Sequence, residues 1–152
     1  MKTRFISLEG LSGVGKSTIS KLLAETIGAE LIGTIPQIFG DLRRTLDRSE
    51  TTSIHARFLF YLAAVLEGEK YIKIILQSGK SVVVESYLYR TIAFHRGMGS
   101  DFDICIPKSV FLPDIVFHLT CGEMERQRRR RMREKQETYS DRLAERNTVN
   151  IL

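Results

Sequence analysis

The 152-residue chain has no tryptophan, only three prolines and only two cysteines. Cys105 and Cys121 have no C-x-x-C spacing, so neither a thiolate zinc site nor a disulfide framework is indicated, and reduced thiols in a cytosolic setting are the expectation. No low-complexity linker or internal repeat occurs, which leaves one domain over residues 1–152. Long apolar runs are also missing. The longest, Phe58 to Leu66, is about half of the ~20 residues that span a bilayer. Met1-Lys2-Thr3-Arg4 opens a short apolar stretch that Glu9-Gly10 ends at once, unlike a secretory leader. A soluble cytoplasmic protein with no membrane partner is therefore expected. Neither the N-K-x-D nor the D-x-x-G pattern of a GTPase is present. A dinucleotide fingerprint is excluded because Thr18 stands where its third glycine would fall. His55, His95 and His118 are scattered, without metal-ligand spacing. His118, inside an apolar run, reads as a hydrogen-bonded core or sheet-end residue.

What is present is ordinary globular composition, 43% hydrophobic and 27% charged, with 23 Lys+Arg against 18 Asp+Glu and a net charge of +5. That sign suits a polyanionic ligand, nucleotide phosphates or nucleic acid, without choosing between them. Phe5-Ile6-Ser7-Leu8 reads as a buried strand. Lys16 to Ile27 carries apolar residues on one helical face and stops at Gly28, and Ala29 to Ile32 suits a second strand. A long helix is expected from an Ser53 N-cap to about Gln77. Ser81-Val82-Val83-Val84 and Asp114 to Leu119 are continuous apolar runs of the kind buried in parallel sheets. An arginine-rich helix follows over residues 122–136. Alternating strands and helices predict an α/β fold with a parallel sheet.

The segment Gly10-Leu11-Ser12-Gly13-Val14-Gly15-Lys16-Ser17 matches G-x-x-x-x-G-K-[ST] and lies between a predicted strand and a predicted helix, where a phosphate loop belongs. Its glycines let the main chain wrap so that the N–H groups of residues 12–18 (Ser12, Gly13, Val14, Gly15, Lys16, Ser17, Thr18) point at phosphate oxygens. The helix N-terminus adds its positive dipole end. Lys16 is placed to reach the β- and γ-phosphates of ATP, and the Ser17 hydroxyl to ligate Mg²⁺. Glu85 ends the third strand at the carboxyl edge of the sheet, where α/β ligands bind, and is the candidate second metal or acceptor carboxylate. Arg126, Arg130 and Arg133 recur at helical spacing and share a face that can neutralise a transferring phosphoryl group. Other arginines of the run balance Glu123, Glu125, Glu134 and Glu137 on a solvated face. No aromatic platform interleaves with them, which disfavours nucleic acid as the partner.

These residues resemble the thymidylate kinases and related deoxynucleoside kinases over most of the chain. The likeness runs through Phe5 to Thr18, Arg57-Phe58-Leu59-Phe60-Tyr61-Leu62-Ala63, Gly79 to Tyr87 with Thr91-Ile92-Ala93-Phe94, and Leu119 through Asp141-Arg142. The resemblance implies a three-layer P-loop NTPase fold with a central parallel sheet and an arginine-rich helical lid over about residues 122–140. It implies γ-phosphoryl transfer from ATP, with Mg²⁺, to a nucleoside monophosphate or nucleoside-like acceptor, and it admits a homodimer. Lys16, Glu85, Arg126 and Arg130 become the catalytic set, and Glu9, Arg57, Phe58, Tyr61 and Arg90 the acceptor-binding set. Phe58, Phe60 and Tyr61 fit core packing as well as base stacking, and the segment Gly97 to Asp103 suits a mobile loop near the acceptor. Three departures stand out. Ser86 stands where the family has a phosphate-gripping arginine, with Arg90 or Arg96 as its replacement. The family's acidic residue near Ser12 is missing, and Gly33-Thr34-Ile35-Pro36 keeps only the proline of Arg-Glu-Pro; these two leave open whether thymidylate is the acceptor. The chain stops at Leu152, before the family's last helix and strand, as a shortened relative, a fragment or a protein completed by a partner. A non-catalytic nucleotide binder and a nucleic-acid-associated ATPase are the rival functions.

Overall fold

The computed structural model describes residues 2–103, 106 and 108–132. Four strands, β1 (Phe5–Glu9), β2 (Glu30–Gly33), β3 (Val82–Glu85) and β4 (Ile115–His118), form one sheet in the order β2-β3-β1-β4. Every pairing is parallel. Parallel neighbours need crossover connections, and the helices supply them. These are α1 (Lys16–Ile27), α2 (Gly40–Arg48), α3 (Ile54–Gln77), α4 (Leu88–Gly97) and α5 (Glu123–Arg131), with a 3₁₀ turn at Gln37–Phe39 before α2.

Side chains of β1 alternate between two cores. Phe5 joins Val65 and Ile72 of α3, Val82 and Val84 of β3, and Tyr87 and Leu88 at the start of α4. Ile6 and Leu8 face the other way, with Ala24 of α1 and Val83. Helices thus cover both faces, as the apolar runs of β1 and β3 require. β4 differs: Ile115, Val116, Phe117 and His118 are all exposed, so His118 is a sheet-end residue rather than a core one. Its apolar run reads as buried, but within the described residues it lies at the sheet edge.

The expected elements appear with small shifts. β2, β3 and β4 start one residue later than their patterns suggest, and the Ser53 side chain makes no capping hydrogen bond. Helices α2 and α4 and the 3₁₀ turn are not among the expected elements; α2 is short, with Leu42 and Leu46 as its apolar stripe, and buries none of its residues. The arginine helix is described only to Arg131, so Arg133 and residues 133–140 of the expected lid lie outside the described residues, as does Cys105.

Candidate active site

The carboxyl ends of β1 and β3 place the loop over residues 10–17 and the turn after Glu85 side by side, since Leu8 pairs with Glu85 in register. In the loop, Gly10, Gly13 and Gly15 all have positive φ (136°, 94° and 103°), which lets the chain wrap at a radius that side-chain-bearing residues resist. Lys16, the first residue of α1, is buried, and its Nζ donates to the carbonyls of Gly10 (2.9 Å) and Leu11 (2.8 Å). The ammonium therefore lies folded along the loop it closes. Val14, within the loop, is buried as well.

Ser17 Oγ donates to Glu85 Oε1 at 2.7 Å, joining residues 68 apart in sequence. A hydroxyl in the first turn of α1 and a carboxylate at the end of β3 are hard oxygen donors, a pair that would suit Mg²⁺. Among the described residues no cluster of three His, Cys, Asp or Glu side chains offers another metal site.

Helix α5 is seated against the back of the loop. Arg126 is buried; its Nη1 donates to the Ser12 carbonyl (3.1 Å), while Nε and Nη2 grip the Glu123 carboxylate (2.9 and 2.8 Å). These hydrogen bonds, with one from Gln127, hold the Glu123 carboxyl down at about 2. Arg129 reaches the Val14 carbonyl at 3.4 Å. A Cβ on Gly13 would lie 2.9 Å from both the Arg126 carbonyl oxygen and Arg130 Cγ, so Gly13 serves the approach of α5 as well as the turn. The structure thus brings Arg126 and Arg130 to the phosphate loop, Arg126 as a strut on its carbonyl side.

The acceptor-side residues divide. Glu9 is 4% exposed, and its carboxylate accepts from Ser7 Oγ (2.6 Å), Tyr87 N (3.0 Å) and Arg90 N (3.1 Å). The Arg90 guanidinium lies over the Phe94 ring at 4.9 Å. Arg57, 2% exposed, donates to the carbonyls of Leu46 and Ser49 at the end of α2 and faces Asp47. Tyr61 donates its hydroxyl to Asp47, and burial, then that carboxylate, push the phenol well above its usual range. Phe58 is fully buried and stacks on His95 (4.8 Å, 8°). In this arrangement Arg57, Phe58 and Tyr61 fasten α2 and α4 to α3. His95 Nδ1 meets the Thr91 carbonyl at 2.7 Å and so carries the proton, and burial pushes the imidazole down to about 4. Ser86 is buried with φ 69°, the one described non-glycine residue with positive φ. The Thr34 hydroxyl donates to the carbonyls of both Glu85 and Ser86. Met98 and Ser100 are buried, and Asp101 pairs with His55 at 2.8 Å, so the segment expected to be a loose loop is packed at these points. Thr34, Asp47, Arg129 and His95 carry no motif; only the folded chain brings them here.

The chain is similar to known proteins in sequence and in fold. The family model described as thymidylate kinase matches residues 8–150. A probable thymidylate kinase of Thermococcus kodakarensis is 34% identical over 147 residues, covering 85% of this chain and 72% of the relative. One from Methanococcus vannielii is 31% identical, covering 88% and 68%. Among solved structures, thymidylate kinase from Candida albicans superposes with a TM-score of 0.75 at 21% identity, over 99% of this chain and 78% of the other. Deoxyadenosine kinase from M. mycoides, solved with dATP, gives 0.66 at 16% identity, over 97% and 83%. At such identities these two establish the fold, a central parallel sheet with helices of the P-loop NTPase kind.

Proposed function

The chain belongs to the thymidylate kinase family, and from that premise we propose a division of labour among its residues for phosphoryl transfer from ATP to a nucleoside monophosphate. As a P-loop nucleotide kinase it forms a bond between an acceptor phosphate oxygen and the γ-phosphorus while the bond from that phosphorus to the β–γ bridging oxygen breaks, releasing ADP. Little covalent chemistry falls to the protein, so positioning and charge neutralisation dominate. The loop amides of residues 12–18 and Lys16 hold the donor phosphates. Ser17 and Glu85 hold Mg²⁺, which when bound neutralises phosphate charge. Arg130 and Arg129 face the transferring group from α5, which opens the lid expected over about residues 122–140, and Arg126 fixes the loop from behind. Arg90, in the first turn of α4, takes the acceptor phosphate in place of the arginine that Ser86 replaces. Arg57, Phe58 and Tyr61 shape the acceptor side from α3.

The observation that carries this reading is the 2.7 Å contact between Ser17 of the loop and Glu85 of β3, which joins two segments at one point on the sheet's carboxyl edge. Thymidylate is the first acceptor to test, because the relatives are named for it. A coupled ADP-release assay across nucleoside monophosphates and nucleosides gives the answer. Turnover that requires a small acceptor supports the kinase; stimulation by polynucleotide alone, or tight ATP binding without turnover, defeats it.

Two further assignments complete the proposal. The chain works in the cytoplasm, in keeping with the lack of a described helix long and apolar enough to cross a membrane. It also pairs with a second copy through α3, where Leu59, Leu66 and Ile74 lie exposed on one side together with Ala63. Light scattering should then report a dimer that Leu66→Arg converts to a monomer; a monomeric wild-type chain removes this assignment.

A further inference from the structure

Glu9 is the last residue of β1, next to Gly10, yet its side chain leaves the phosphate loop and enters the start of α4. The carboxylate accepts the N–H of Tyr87, which precedes α4, and of Arg90 in its first turn, with Ser7 Oγ as third donor. Main-chain amides at a helix N-terminus are left without intrahelical partners and carry the positive end of the helix dipole, so a buried carboxylate is stabilised there. On the far side of the same turn, Thr34 from the segment after β2 donates to the carbonyls of Glu85 and Ser86. Between these two grips sits Ser86, held at φ 69° with its N–H on the Leu8 carbonyl (3.0 Å). A non-glycine residue keeps that conformation only when its surroundings over-determine it.

We propose that Glu9 and Thr34 are positioning residues for the acceptor side of the reaction, acting as a two-sided clamp on the Glu85–Arg90 turn. The clamp rests on the reading above, in which Glu85 and Arg90 serve metal and acceptor. Glu9 fixes the N-terminal side of α4 from which the Arg90 side chain departs over Phe94. Thr34 fixes the main chain that carries Glu85 toward Ser17. The donor loop is held by its own glycines, Lys16 and α5, so loosening the clamp should disturb acceptor placement far more than nucleotide binding, which the Glu85 carboxylate would touch only through the metal. Misplacement of reacting groups by an ångström costs up to about 100-fold in rate.

The test uses Glu9→Gln, Thr34→Val, their double variant and Thr34→Ser, with ATP and the best nucleoside monophosphate from the acceptor screen. Glutamine keeps the shape but turns an N–H donor toward one of the two amides. Glu9→Gln and Thr34→Val should each lower kcat/KM for the acceptor by about 10-fold or more. The KM for ATP should rise much less than the acceptor KM, and Thr34→Ser should keep near wild-type activity. Because both act on one turn, the double variant should lose less than the product of the single losses. Amide hydrogen exchange at residues 86–90 should quicken in each damaged variant. Faster exchange with unaltered acceptor kinetics overturns the proposal, as does an equal rise in the KM for ATP and acceptor. If wild-type protein transfers phosphate to no nucleoside monophosphate, the functional reading itself fails, and that result is distinct from failure of the clamp.

Discussion

Across the loop at residues 10–17, three glycines with positive φ shape the main chain and one side chain, Lys16, closes over it. The turn at residues 85–90, which follows the neighbouring strand β3, is made by different means. A carboxylate from β1, a hydroxyl from the segment after β2 and a serine in a left-handed conformation hold it together. The first region draws its form from backbone freedom within one short segment. The second draws it from side chains that meet only after the sheet has assembled. Damage should accordingly be sharp and chemical in the loop, and diffuse and conformational around the turn and the helices behind it.

The largest contrast should come from Lys16→Ala. Turnover should fall on the order of 10²–10³-fold or more, with the urea midpoint nearly unmoved, because the Lys16 hydrogen bonds to the Gly10 and Leu11 carbonyls stay within the loop itself. A large loss of stability instead would mean that the loop, too, is structural cement. Arg57→Met should act in the reverse sense. It strands the carbonyls of Leu46 and Ser49 and the nearby Asp47, so urea unfolding should show a loss of about 2–4 kcal/mol.

Next in size is a pH effect. The unfolded imidazole of His95 takes up a proton near pH 6.5, whereas in the folded chain burial delays this to about 4. Between those values the unfolded state binds more protons, so stability is complete above 6.5 and drains away as the pH falls toward 4. Arg57 and Arg90 oppose the charge and Asp47 favours it. The loss should approach about 2–3 kcal/mol, and in His95→Gln the melting temperature should vary less across that range. The smallest change is expected from Ser86→Gly: relief at φ 69° against added freedom in the unfolded chain leaves a gain of no more than about 1 kcal/mol. A clear loss there would show that the serine hydroxyl, not the backbone, matters at this position.

The same contrast explains what could be read before folding. Gly10, Gly15, Lys16 and Ser17 announce themselves because backbone shape and residue type are adjacent in sequence. Glu85 was legible from its place at the end of an apolar run. Glu9, Arg57 and Tyr61 could be named through family likeness, but not their actual contacts: Glu9 caps α4, and Arg57 meets carbonyls eight and eleven residues away. Thr34 and His95 had no signal at all, since a lone threonine in a loop and a lone histidine acquire meaning only from what folds against them. Helix α2 escaped because it is short and its apolar stripe is only Leu42 and Leu46, four residues apart, and α4 because its apolar and polar residues are mixed. The exposed β4 misled in the opposite direction: its residues have the composition of an interior strand but the neighbours of an edge.

The bare α-carbon of Gly13 has one more consequence. With Arg126 and Arg130 pressed to within 2.9 Å of where a methyl would sit, any shift of the main chain there must be felt by the arginine helix, and any shift of that helix must be felt by the loop. The two cannot tune themselves independently, so the cation-rich helix is geared to the glycine turn against which it lies.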